Sequence, residues 1–142
     1  MHKLRVSVLV LLFVLLLAGV AAAAGPGAQT PALALDEAQT IYLGNLARRE
    51  NGRGPLRANR QLTSAARWFA WDSVENRAPG FCDHTDSQGH TSDYRARVYG
   101  YKGSAGAENA FCDYLPPADA IAGWLNSPGH RANLLDPTPR ET

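Results

Sequence analysis

The chain has 142 residues, 45% of them hydrophobic and 19% charged. That suits one globular domain and excludes a multidomain assembly. Beyond residue 24, 12 basic side chains face 13 acidic ones. This balance excludes the basic footprint of a nucleic-acid binder and a polybasic patch for anionic lipid.

Residues 1–24 set the expected compartment. Lys3 and Arg5 carry positive charge, residues 8–18 are unbroken apolar, and a Gly-Val-Ala-Ala-Ala-Ala run follows. This is the order of a secretory signal peptide, with cleavage expected near Ala24. An uncleaved membrane anchor is the alternative. Residues 8–24 stand at the short edge of what spans a bilayer, and the alanine run suits a signal peptidase better. The expected location is therefore extracellular, with membrane contact only through an uncleaved leader.

The two cysteines, Cys82 and Cys112, fit an oxidising compartment, where an even count favours pairing. Such a bridge closes a loop of about 30 residues and is worth roughly 3–4 kcal/mol in the chain-entropy model. Two separate buried thiols are the alternative.

Residues 25–35 read as a Gly/Pro linker, and residues 36–142 as the domain. Leu35, Ala38, Tyr42 and Leu46 fall at helical spacing. Asp36 and Glu37 favour the N-terminus of that helix and Arg48 and Arg49 its C-terminus, before a stop at Asn51-Gly52. Asn59 is the expected N-cap of a second helix, with Leu62, Ala65, Ala66, Phe69 and Ser73 as its buried stripe. Residues 80–93 are a polar loop of the kind that often carries function. Thr91 or Ser92 starts a short third helix containing Tyr94 and Val98, which stops at Gly100. A short strand is expected at residues 109–112. Pro117 opens a fourth helix with Ile121, Trp124 and Leu125 inward, broken at Pro128-Gly129. By pattern alone the chain is mostly helical.

Three segments hold chemistry-bearing residues: Cys82-Asp83-His84-Thr85, Glu108-Asn109 and Gly129-His130-Arg131. The expected disulfide confines His84 and Glu108 to one neighbourhood. Two His and one carboxylate are the ligand types of an open zinc site and equally of acid–base chemistry. The plainer alternative is a solvated His84, a His130 bonded to a backbone carbonyl and a Glu108 capping a turn. His90 is read as surface. No H-E-x-x-H, G-x-S-x-G, Walker A or G-x-G-x-x-G occurs, and no nucleophile is evident.

The order of motifs adds a resemblance. Arg-Arg-Glu-Asn-Gly-Arg-Gly-Pro-Leu (48–56) is followed by Asn-Arg-Gln-Leu-Thr-Ser-Ala-Ala-Arg (59–67). Then come Cys-Asp-His-Thr (82–85), Ala-Glu-Asn-Ala (107–110) and Trp-Leu-Asn-Ser-Pro-Gly-His-Arg-Ala-Asn-Leu-Leu (124–135). Over residues 36–138 this resembles the bacterial branch of the CAP superfamily, or SCP domain, named for cysteine-rich secretory proteins, antigen 5 and plant pathogenesis-related proteins. The resemblance implies an α+β fold, an α–β–α sandwich, with a cleft lined by His84, Glu108 and His130. It also implies a divalent metal there, zinc or calcium. Animal and plant relatives carry a second cavity Glu where this chain has Ser127. The family pattern continues with strands past the Asp-Pro at 136–137, so the resemblance predicts a chain lacking the C-terminal strands of the sandwich.

The functional expectation is a secreted binding module for an extracellular ligand, lipid or protein, without a catalytic residue. A metal-dependent hydrolase is the alternative, with His84 and His130 as ligands and Glu108 as general base. A truncated product without function is the third.

Overall fold

The computed structural model describes residues 33–76, 83–113 and 115–142. The expected leader, most of the expected linker and Cys82 lie outside the described residues. Five helices follow in order: α1 (Leu35–Glu50), α2 (Arg60–Glu75), α3 (Ser92–Val98), α4 (Pro117–Asn126) and α5 (Pro128–Leu134). α1 packs on α4, α4 on α5, and α2 on α3. No described helix is long and apolar enough to cross a membrane.

Local chemistry sets the helix ends where the sequence places them. The Asn59 side chain accepts from the amides of Gln61 and Leu62 and caps α2. Thr91 caps α3, and Pro117 occupies the first turn of α4. Glu37 Oε2 accepts from the Ala34 amide at 2.8 Å, tying down the start of α1. The same carboxylate takes a two-pronged ion pair from Arg67 and so joins α1 to α2. Asn51 ends α1 as expected.

Helix faces depart from the sequence expectation. Leu35 is 80% exposed and Tyr42 is also exposed, while Gly44, Ala47 and Arg48 form the buried face of α1. The small residues there bring α4 and α5 close. A methyl group at Gly44 would lie 3.6 Å from Leu134 and 3.7 Å from Ile121. On α2, Ala65 and Phe69 are buried as predicted, Ala66 is exposed, and Ser64 and Asp72 are buried instead. On α3, Tyr94 and Val98 are exposed, and Arg95 and Ala96 are buried. Pro128-Gly129 does not simply end α4; it opens α5.

Among the described residues the buried apolar ones are Ala47, Ala65, Phe69, Ala96 and Ile121. Polar cross-links supplement this small core. Arg48, 1% exposed, donates from Nε to the Gly54 carbonyl and from Nη1 to the carbonyls of Leu134 and Asp136. Leu134 ends α5, where carbonyls lack helical partners, and Asp136 lies just beyond it. Arg48 therefore staples α1 to the exit of α5. Its Nη2 is buried without an acceptor, and burial pushes the guanidinium pKa down, opposed by Asp136. The Asn45 side chain pairs reciprocally with the backbone of Leu56, at 2.9 Å and 2.7 Å.

The sandwich sheet is not seen among the described residues. The β pairing described is one parallel bridge between Arg57 and Glu141, extended by the Asn59 amide on the Thr142 carbonyl at 2.7 Å. The strand expected at residues 109–112 does not form. Asn109 commits its side chain to the His130 carbonyl, and the Ala110 carbonyl accepts from Trp124 Nε1. A cavity of about 580 Å³ lies between the helices, lined by residues including Ile41, Leu62, Ala96, Ile121, Glu141 and Thr142.

Two measurements check this account. Asn59→Ala is expected to lower stability by about 1 kcal/mol, read by urea denaturation, since two α2 amides lose their acceptor. The Arg67 hydrogen bond holds the Glu37 carboxyl below its ordinary value of 4.5, helped by the Ala34 amide and opposed by burial. The unfolded chain then binds the proton more readily, so the pair stabilises above the unfolded value and is lost as pH falls through the folded one. Glu37→Gln is expected to flatten the loss of stability between about pH 5 and pH 3. The pair is partly exposed, so its whole effect is about 0.5–1 kcal/mol.

Candidate functional site

The site begins with a loop that its own carboxylate organises. Asp86-Ser-Gln-Gly89 makes a turn closed by the Gly89 amide on the Asp86 carbonyl at 2.9 Å. Gly89 adopts φ +83°, which suits glycine. The buried Asp86 carboxylate accepts from the amides of Gln88 and His90 and lies 3.2 Å from His90 Nδ1. Buried Asp72, on α2, accepts from the Ser87 amide at 2.7 Å and its hydroxyl at 2.5 Å. The loop is thus pinned from within and from below. His90, expected only at the surface, is a structural member of the turn and stacks on Tyr94 with centroids 4.0 Å apart.

Arg95 connects this loop to Glu108. It is 3% exposed and lies 3.9 Å over the Phe69 ring, a cation–π contact from α3 to α2. Nη1 donates to the carbonyls of His84, at 3.2 Å, and His90, at 2.7 Å. Nη2 donates to Glu108 Oε2 at 2.6 Å. The other carboxylate oxygen, Oε1, is 3.1 Å from His84 Nδ1. With a carboxylate as acceptor, the hydrogen bond puts the proton on Nδ1 and leaves Nε2 as the other nitrogen of a half-exposed ring.

The third expected residue stands nearby. His130 lies in the first turn of α5, its ring centroid 6.4 Å from that of His84, with the planes tilted by 59°. Its carbonyl accepts from Asn109 Nδ2 at 2.9 Å, and Asn109 Oδ1 accepts from Asn133 at 3.2 Å. The structure therefore brings His84 and Glu108 into contact and His130 to the same side. Ser127 is the N-cap residue of α5, without a side-chain cap bond. Cys112 is exposed and not free; the expected bridge falls on Cys82, outside the described residues.

Glu108 is not free to ligate a divalent ion in the His84–Glu108–His130 set as it is built. Both Glu108 oxygens are engaged, one by a buried guanidinium. Among the described residues no group of three or more His, Cys, Asp or Glu is arranged to hold a metal.

Sequence reasoning missed Arg95, Asp72 and Asp86. Asp86-Ser-Gln-Gly89 carried a turn signature, Asp first and Gly fourth. Arg95 carried no signal, because a charged residue on a short helix reads as solvated. Asp86→Ala is expected to cost about 2–3 kcal/mol, since a charged acceptor leaves three donors behind. Urea denaturation of the full chain, with Asp86→Asn as the milder variant, checks it.

The model of the CAP, Cysteine-rich secretory protein family, matches residues 41–141. The uncharacterized protein YkwD of Bacillus subtilis (strain 168) is 26% identical over 101 residues, 71% of this chain and 38% of that protein. The chain thus spans well under half the length of that relative. No solved structure matches. With the family model covering most of the chain, and the Glu108-Asn109 and Gly129-His130 segments meeting at one place, the protein belongs to the CAP family.

Proposed function

We propose that this chain is the CAP module of an exported protein and that it works by binding, through a polar cleft at His84, Glu108 and His130. The observation that carries this reading is the ordered hydrogen-bond chain from Arg95 through Glu108 to His84. A recess with fixed donors and acceptors on a braced scaffold is equipped to orient a polar ligand group. The half-exposed His84 ring and the neighbouring His130 are the side chains available to it. Lipid and protein remain the partner classes named by the family resemblance.

Export rests on the leader sequence and on the cysteine pair. A Cys82–Cys112 bridge would tether the His84 loop to the segment carrying Glu108. An α–β–α sandwich is part of the same reading. The cavity between the helices, with Glu141 and Thr142 on its wall, supports a sheet as the middle layer. A hydrolase using Glu108 as general base is disfavoured by the engagement of both of that carboxylate's oxygens.

The test is nuclear magnetic resonance of the full chain with small polar probes: acetate, acetamide and phenol. Shifts are expected to converge on His84, Asn109, His130 and Asn133 and to be lost in His130→Ala. Shifts scattered over the surface, or unchanged in that variant, would sink the cleft. Mass spectrometry of the secreted chain is expected to show loss of the leader and of two hydrogens at the cysteines.

A further inference from the structure

We propose that Arg95 is the resident countercation of the cleft: it holds Glu108 as the acceptor for His84 Nδ1 and withholds that carboxylate from divalent ions. This rests on the reading of the same cleft as the working site, and it assigns a positioning residue.

Arg95 is built into the protein rather than laid over it. Its guanidinium is 3% exposed, with Phe69 at 3.9 Å and the His84 and His90 carbonyls on Nη1. Those contacts fix the plane of the fork independently of Glu108. The other terminal nitrogen, Nη2, meets Glu108 Oε2 at 2.6 Å. A guanidinium cannot be deprotonated to make way for a metal. An ion ligated by Glu108 would place two positive charges against a buried third one. The alternative, expelling Arg95, would strand its charge among Phe69 and two carbonyls and uncouple the loop that carries His84.

Glu108 is in turn committed on its other side. Oε1 lies 3.1 Å from His84 Nδ1, so the carboxylate acts as an ion-paired acceptor that sets the imidazole's tautomer. In metal sites such a carboxylate is the outer partner of a ligating His and not a ligand itself. The cleft then offers imidazole nitrogens alone to an incoming group. Calcium, which demands oxygen ligands, has no carboxylate to take among these residues. Zinc is left with the two imidazoles.

Zinc chloride, titrated by calorimetry into the full chain and its variants, tests this. With Arg95 present, Glu108→Gln removes only the outer partner of His84 and is expected to weaken zinc by about tenfold. In an Arg95→Met background, Glu108 is freed to ligate, and adding Glu108→Gln is expected to weaken zinc by roughly a hundredfold, well beyond its effect with Arg95 in place. A comparable weakening by Glu108→Gln with Arg95 in place would overturn the proposal, as would no Glu108-dependent gain in Arg95→Met. Should Arg95→Met fail to fold, nitrogen resonances of the unaltered chain decide. Persistence of a protonated His84 Nδ1 and of separate Arg95 Nη signals in excess zinc supports the proposal. Their loss overturns it. Failure of the polar probes to converge on the cleft would defeat the binding reading while leaving these zinc results intact.

Discussion

The candidate site depends on a buried positive charge. Arg95 sits where α3 meets α2, and placing a guanidinium there without partners would be costly. The chain offsets that cost with two carbonyls, one carboxylate and one aromatic face. The partners come from three stretches of sequence: Phe69 on α2, His84 and His90 in one loop, and Glu108 beyond α3. Satisfying one side chain therefore assembles the site.

Arg48 repeats the device at the other end. It too is buried, and it draws its acceptors from the turn after α1 and from the exit of α5. Few large apolar side chains are buried in the described residues, so such polar staples carry much of the tertiary specification. Buried polar networks are worth most when fully satisfied. Arg48 departs from that, with Nη2 lacking an acceptor beside the interhelical cavity.

Around these anchors the carboxylates divide their work. Asp72 and Asp86 are spent on loop amides and hydroxyls, giving the His84 segment a fixed shape. Glu37 links two helices and holds a helix start. Glu108 couples a cation to an imidazole. The Arg95–Glu108–His84 cluster accordingly reads as a preorganised hydrogen-bonding group with its charge balanced internally.

Helix positions were legible in the sequence because caps and breakers act locally. Asn59, Thr91, Pro117 and Asn51 need only their near neighbours. The polar trio His84, Glu108 and His130 was legible through motif order, and their meeting is carried by the fold. Which face of α1 is buried was not legible. Leu35 and Tyr42 obey the helical period yet face solvent, because Gly44 and Ala47 permit the closer approach to α4 and α5. Arg95 was hidden for the same reason. A charge enters the interior only when distant carbonyls and a carboxylate converge on it, and the tertiary structure alone determines that convergence.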